Sequence, residues 1–504
     1  MQSNRRIILQ AALTGFFLSL AILLKSQEMW GLTTSNFAGS TGALLNPSSI
    51  VNSKLYMDIN IVTADAFFSN DYAYIHNEDY SLFKFLKKNP ELPKYGPDDM
   101  AFDHFTSKTN KYAYAMELIK GPSAMVAYGR HAFAIYTGAR VLSSLDRIPY
   151  HILNFGYYGL DYTEQHNIDY HNKNFSSVTL TLAEIGATYA FAFRRFSNED
   201  WSAGITMKYL FSMGGAYMQA RDLDYMVIND STIDIKNLNA EVGYSIPLDY
   251  DQVYDAANPY EFPDPSGLIK GKGIGIDIGI TYQNKILSYQ KKRFSKLCRQ
   301  KYIDYTFKVA VSVLDIGFVN FKTNTQVHSY DDVSQYWINI DTLSYYTLNR
   351  LAGTLSDVFY GDPQASYRGN KAKIFLPTAL SIQGDYKIYK NWYAGGVFIY
   401  PLALGKSFVH RPPQIAIVPR YETPRFEFSL PFSLYYWNYP RLGASVRYEF
   451  LSIGTDNLLG LFGLVNFRGL DFYVSVKINF RKGHCGKNNR NVPCENYEYG
   501  IRGR

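Results

Sequence analysis

Residues 470–480 read Leu-Asp-Phe-Tyr-Val-Ser-Val-Lys-Ile-Asn-Phe. In an extended chain successive side chains point to opposite sides. Leu470, Phe472, Val474, Val476, Ile478 and Phe480 therefore share one face, and Asp471, Tyr473, Ser475, Lys477 and Asn479 the other. The same period of two organises 441–450, where Leu442, Ala444, Val446, Tyr448 and Phe450 oppose Arg441, Gly443, Ser445, Arg447 and Glu449. It also organises 425–434, where Phe426, Phe428, Leu430, Phe432 and Leu434 oppose Arg425, Glu427, Ser429, Pro431 and Ser433, and it recurs in 273–282 and 303–313. Strands of a water-soluble sandwich are usually about five or six residues long, whereas a tilted strand crossing a membrane needs about 9–11. Ten or more residues with an unbroken apolar face predict the second. Pro431 cannot donate to a ladder, so a local bulge is expected there.

Composition points the same way. The chain has 504 residues, 47% hydrophobic and 19% charged, which is too apolar for disorder and too polar for a bundle of membrane helices. Aromatic residues make up 16%, as 44 Tyr and 33 Phe against 5 Trp, a usage that suits β-strands at a membrane interface. Basic and acidic residues, 51 and 44, are interspersed, and the net charge of +7 gives nucleic-acid binding no support. Near the N-terminus Arg5 and Arg6 precede an apolar run over 7–24 that ends in Lys25-Ser26-Gln27. This is the pattern of a secretory signal peptide cleaved after Ser26, with an uncleaved anchor helix as the competing reading. No later stretch holds 18 uninterrupted apolar residues, so a mature chain that enters a membrane does so as strands.

The alternation places strands near 54–68, 111–129, 132–144, 176–195, 202–219, 272–284, 302–322, 374–389, 391–402, 424–436, 440–454 and 469–480. Short connections (130–131, 196–201, 390 and 437–439) alternate with long ones (69–110, 145–175, 220–271, 323–373 and 403–423), as periplasmic turns alternate with external loops in outer-membrane barrels. The exception, 285–301, is long and basic on the predicted periplasmic side. A weaker alternating stretch at Leu238, Ala240, Val242 and Tyr244 leaves the strand number open between twelve and sixteen. The expected organisation is a signal peptide (1–26), an N-terminal segment tucked into the lumen as a hatch (27–53), an all-β transmembrane antiparallel barrel (54–480) and a periplasmic C-terminal tail (481–504).

Three stretches carry a resemblance. They are Thr41-Gly42-Ala43-Leu44-Leu45-Asn46-Pro47, Ser312-Val313-Leu314-Asp315-Ile316-Gly317 and Ser452-Ile453-Gly454-Thr455-Asp456-Asn457-Leu458-Leu459. Through them the chain resembles a family of outer-membrane proteins of the Bacteroidota, distantly similar to the long-chain fatty-acid transporter barrels (FadL-like). The resemblance implies about fourteen strands around an N-terminal hatch in which Asn46 and Pro47 take part. It does not imply a cargo, and Ser48 stands where an alanine is usual.

Several constellations are candidates for function. Arg425, Glu427, Arg441, Arg447 and Glu449 fall on the polar face of neighbouring strands and are expected in the lumen, either as a ladder of salt bridges or as a cationic lining that guides an anionic solute. Cys485 and Cys494 follow the last strand and are expected to form a disulfide in an oxidising periplasm; Cys298 is left over. Lys291, Lys292, Arg293, Lys296 and Arg299 make a basic periplasmic turn, read either as a solvated turn or as a surface for a protein partner or acidic headgroups. Nine histidines are scattered without a His-x-Ser pair or a Gly-x-Ser-x-Gly elbow, and the glycines of 271–275 alternate with other residues along a strand rather than forming a phosphate cradle. No catalytic, cofactor or metal site is expected. Two functions remain open. One is a channel or transporter of the bacterial outer membrane, surrounded by its lipid, for a small hydrophobic or amphiphilic ligand. The alternative is a non-transporting accessory subunit of a secretion or barrel-assembly complex, with outer-membrane or periplasmic protein partners.

Overall fold

The computed structural model describes residues 29–480 except 80, 82–83, 85–90, 97–98, 196–197, 254–264, 287–293, 296–300, 303 and 341–346. The alternating segments form one antiparallel sheet of fourteen strands that closes on itself. In chain order these are β1 Met57–Asn70, β2 Lys111–Tyr128, β3 His131–Ile148, β4 Tyr170–Arg195, β5 Glu199–Asn229, β6 Gly271–Lys285 and β7 Tyr305–Phe321. There follow β8 (Ala372–Phe375 and Ala379–Tyr389), β9 Trp392–Pro401, β10 Gln414–Glu422, β11 (Phe426–Ser429 and Phe432–Tyr435), β12 (Tyr439–Leu442 and Ala444–Tyr448), β13 Leu451–Thr455 and β14 Gly469–Phe480. Neighbours in sequence are neighbours in the wall, and β1 pairs with β14, Met57 facing Phe480, so the barrel has no free edge.

Two strands escaped the sequence reading. β10 lies inside the expected loop 403–423, because Ala416 and Val418 on its inward face blur the alternation. The expected strand 440–454 is two strands, β12 and β13, divided at Glu449, whose φ of 47° turns the chain. Inserting β10 also reverses the direction of β11, so the short connection 436–438 closes the long-loop end of the barrel, not the turn end expected for 437–439. The stretch containing Leu238–Tyr244 adds no strand to the circumference. The inner half of β5 pairs with β6 (Ser212 facing Gly271), and its outer half pairs with Thr232–Ser245 (Gly215 facing Ser245), which stacks above β6 as a second tier. Thr325–Trp337 continues β7 upward in the same way and pairs with Thr232–Ser245.

Pro431 makes no bulge. Ile417 faces Phe432 and Arg420 faces Ser429 on one side, while Phe432 faces Leu442 and Ser429 faces Ser445 on the other, so the register is unbroken in both directions. The Pro431 carbonyl still accepts the Gly443 N–H at 2.7 Å, and the ladder loses one donor without slipping.

The wall is apolar outside and polar inside. On β14, Asp471, Tyr473, Ser475 and Lys477 are buried while Phe472 and Ile478 are 44% and 45% exposed. A water-soluble β protein buries the opposite face; this arrangement fits a barrel whose outside meets lipid. At the turn end, outward-facing Tyr128, Phe133, Tyr389, Trp392, Tyr448 and Phe450 form an aromatic girdle.

Candidate functional site: the occupied lumen

The lumen is filled in strata. On the turn side lies residues 29–53, a helical turn (Trp30–Thr33) and two 3-10 turns (Gly39–Leu44 and Pro47–Asn52), almost wholly buried. From Met29 to Ser53 this segment has no charged side chain, so its polar groups answer to charges on the wall. Lys120 donates to the Ser40 carbonyl at 2.7 Å and Lys477 to the Ala38 carbonyl at 2.6 Å. Asp58 accepts the Ser40 N–H at 2.9 Å and its hydroxyl at 2.8 Å. Ser35 donates to Glu427 at 2.7 Å, and Asn36 donates to both oxygens of Glu422.

Asn46 and Pro47 occupy a seat cut into the wall. The Asn46 carboxamide oxygen caps the turn by accepting the Ser48 N–H at 2.9 Å, and its nitrogen donates to Gln383 at 2.9 Å. Ser48 and Thr281 share a hydrogen bond at 2.6 Å, a contact an alanine at position 48 would lose. Gly204 of β5 and Gly279 of β6 face each other across the ladder beneath this turn. A Cβ on Gly204 would lie 2.5 Å from the Pro47 carbonyl carbon and the Ser48 nitrogen, and one on Gly279 would lie 2.2 Å from Asn46 Oδ1. Only glycines admit the segment this closely.

Two ion clusters flank it. Where the segment joins β1, Lys54 pairs with Glu422 at 3.0 Å, Glu422 with Arg420 at 2.6 Å, and Arg420 with Asp385, which also accepts from Tyr305 at 2.6 Å. Across the lumen Arg140 meets Glu184 at 2.7 Å and Asp315 at 2.9 Å, while Lys208 meets Asp277 at 2.8 Å and Asp315 at 2.7 Å. Asp315 belongs to the Ser312–Gly317 stretch. Its φ of 53° marks a shift of register between Val313 and Ile316 against β6, which aims the carboxylate at both cations. The inward phase of each strand could have revealed these residues; what sequence could not supply was which strands bring them level.

Of the residues expected in the lumen, Glu427, Arg441 and Arg447 point inward. Arg447 pairs with Glu427 at 3.0 Å and lies over the Phe37 ring of the segment, and Arg441 lies over the rings of Phe67 and Tyr435. Arg425 and Glu449 do not reach the lumen. They sit at the turns on either side of β11 and β12 and pair with each other at 3.3 Å in solvent, because the strands end before them. Cys485, Cys494, Cys298 and the basic residues Lys291, Lys292, Arg293, Lys296 and Arg299 lie outside the described residues.

Above the segment the inward side chains turn apolar. Phe67, Leu142, Leu180, Leu210, Phe321 and Tyr435 belong to one packed layer across the barrel. The external loop 402–413 folds into this layer: Val409 is buried within it, and the His410 N–H donates to Ser144 at 3.0 Å. Burial lowers the His410 imidazole below its ordinary range, despite Asp146 at 3.5 Å. Between the segment and β6 to β9 a cavity of about 60 Å³ remains, bordered by Asn46, Thr281, Lys308 and Gln383.

Solved structures to which the chain is similar include a deletion mutant of the TodX monoaromatic hydrocarbon channel, at 8% identity over 88% of this chain and 95% of that one with a TM-score of 0.39. The P. putida toluene transporter TodX matches at 8% identity over 89% and 95%, with a TM-score of 0.37. A FadL homologue of Pseudomonas aeruginosa matches at 9% identity over 91% and 98%, with a TM-score of 0.23. No curated protein matches. A family model covers residues 47–456, from the seat of Pro47 to the end of β13, and the chain belongs to that family, DUF5723, a family of unknown function.

Proposed function

We propose that this protein is a gated passage of the bacterial outer membrane for a small hydrophobic or amphiphilic molecule, with residues 29–53 as the gate. The observation that carries the reading is the stratified lumen: an apolar layer toward the long loops, and beneath it an uncharged segment tied to the wall by polar contacts. An apolar lining suits an apolar solute. A cavity of about 150 Å³ is what it takes to house benzene, and the cavity of about 60 Å³ beside the segment is much smaller, so a ring-sized solute passes only when the segment moves. Water can replace the hydrogen bonds to lysines and carboxylates, so leaving the seat costs chiefly the apolar packing of Trp30, Phe37, Leu45, Ile50 and Val51 on the wall.

The test is a tether. Ser48→Cys with Thr281→Cys places two thiols where the hydroxyls stand 2.6 Å apart. Cells carrying the oxidised tether are expected to lose protein-dependent uptake of N-phenylnaphthylamine and to regain it on reduction. Uptake unchanged by the tether would overturn the gate.

A further inference from the structure

We infer that the outer face of the wall at β6 to β8 carries a seat for the phosphorylated head of a lipid in the external leaflet. Upward along β6 from the girdle the outward side chains are Tyr282, Ile280, Ile278, Ile276 and Ile274, and the next is Lys272. The ten residues from Tyr282 to Lys272 span about 34 Å of strand. Tilted by about 40° they climb about 26 Å, which matches the apolar band of an outer-membrane barrel, about 25 Å tall. Lys272 therefore stands at the headgroup level opposite the girdle. Directly paired residues of an antiparallel ladder share a face. Lys272 faces Asn320 of β7, and Asn320 faces Lys373 of β8. The two lysines are exposed, two strands and so about 10 Å apart. Lys270, Lys322 and Lys371 stand immediately beyond the upper ends of the same three strands.

None of these five ammonium groups has a carboxylate within 4.0 Å among the described residues. Other cations toward the long loops do: Arg147 pairs with Asp146 at 3.0 Å, Lys173 with Asp222 at 3.8 Å and Arg368 with Asp331 at 3.6 Å. Lys373 instead lies over the rings of Phe318 and Phe375, at 4.5 and 5.9 Å, which hold its ammonium at the top of the apolar band without supplying an anion. Like charges gathered on one sector make a positive field there. Directly beneath them the wall is apolar, with Ile274 53% exposed. A lipid with a phosphorylated head answers both features at once, its phosphate meeting the ammonium groups and its acyl chains the apolar face below. A soluble anion would use only the first. Where β11 to β14 reach the same end, the exposed side chains include Trp437, Phe462 and Leu464, so this sector differs in chemistry from the far wall. The inference rests on the wall facing lipid and does not depend on what passes the barrel.

The experiment titrates the folded, detergent-solubilised protein with a bisphosphorylated hexa-acyl diglucosamine lipid and counts bound lipid by native mass spectrometry. The Lys272→Gln, Lys373→Gln double variant is expected to bind at least tenfold more weakly than the wild type, and Lys272→Arg, Lys373→Arg to bind like it. Lys173→Gln with Lys236→Gln removes the same charge from the outer ends of other strands and is expected to leave binding unchanged. The wild type is expected to bind the dephosphorylated lipid at least tenfold more weakly. Heat-modifiable migration reports whether each barrel is folded. Undiminished binding by the first glutamine variant would overturn the inference, as would an equal loss in both glutamine variants, the result of attraction by net charge alone. Equal binding of the dephosphorylated lipid would overturn it too. Displacement of the lipid by millimolar inorganic phosphate would make the sector a free-anion site and overturn the lipid assignment. The readout is bound lipid and not permeation, so failure here leaves the gate reading untouched, and failure of the tether experiment leaves this one standing.

Discussion

At the scale of single residues, the seat under Asn46 and Pro47 shows what sequence displays and what it conceals. Asn-Pro announces a capped turn, and the glycines alternating along β6 announce small inward positions. That Gly204 on the neighbouring strand completes the notch depends on a register between segments more than 70 positions apart, which no local pattern records. The consequence is testable. In Gly204→Ala the new methyl meets backbone atoms at 2.5 Å, and backbone has no rotamer by which to yield. Overpacking of this kind costs about 1–3 kcal/mol, and here the cost falls on the seated state of the segment alone. The variant is expected to keep its barrel while its residues 46–52 exchange amide hydrogens at least fivefold faster than in the wild type. Unchanged exchange would mean that the segment is not held by fit at this point.

At the scale of elements, legibility followed amphipathicity. β14, β11 and the inner half of β12 alternate strictly and were found where expected, because lipid outside and charge inside impose opposite chemistry on neighbouring residues. β10 was hidden because its inward Ala416 and Val418 pack on Trp30, which makes that face apolar too. The long loops carry a different logic, since they fold on aromatic stacking. The helix Tyr150–Tyr158 docks on the outer ends of β4 and β5, where the His151 ring stacks on Tyr170 at 3.9 Å. Burial pushes the His151 imidazole down to about 4, against about 6.5 for an unperturbed histidine. Between those values the undocked loop binds a proton that the docked loop refuses, so docking strengthens as pH rises through the window and weakens as it falls. Lowering the pH from 7 to about 5 is expected to raise intrinsic-rate-corrected hydrogen exchange across 150–158, and His151→Phe to reduce that dependence. The buried His104, which bonds Tyr158 of the same helix at 2.9 Å and is lowered by the same cause, supplies the remaining dependence in the same direction.

At the scale of the whole molecule, the inverted distribution of polar and apolar side chains makes the strongest claim, because it states which solvent the wall was shaped for. Ile278 lies at the middle of β6, faces Ile205 and Val313 in the adjoining strands, and is 48% exposed on the outer face. Tyr282 points the same way one turn of the ladder nearer the short turns, among the aromatic girdle at Trp201 and Phe307. If the outer face meets hydrocarbon, a charge should be costly at the first position and cheap at the second. Ile278→Arg is expected to lose about 2–4 kcal/mol of folding stability in lipid vesicles, and Tyr282→Arg about 0–1 kcal/mol. Both are measured by urea-equilibrium refolding. In detergent micelles, which deform around a charge, the difference should shrink. An outer face built to pack on another protein makes a different demand: burial against a partner, not depth in a bilayer, would set the cost, and the two variants would lose stability alike. Equal losses in vesicles would therefore remove lipid as the outer solvent, and with it the membrane reading of the barrel.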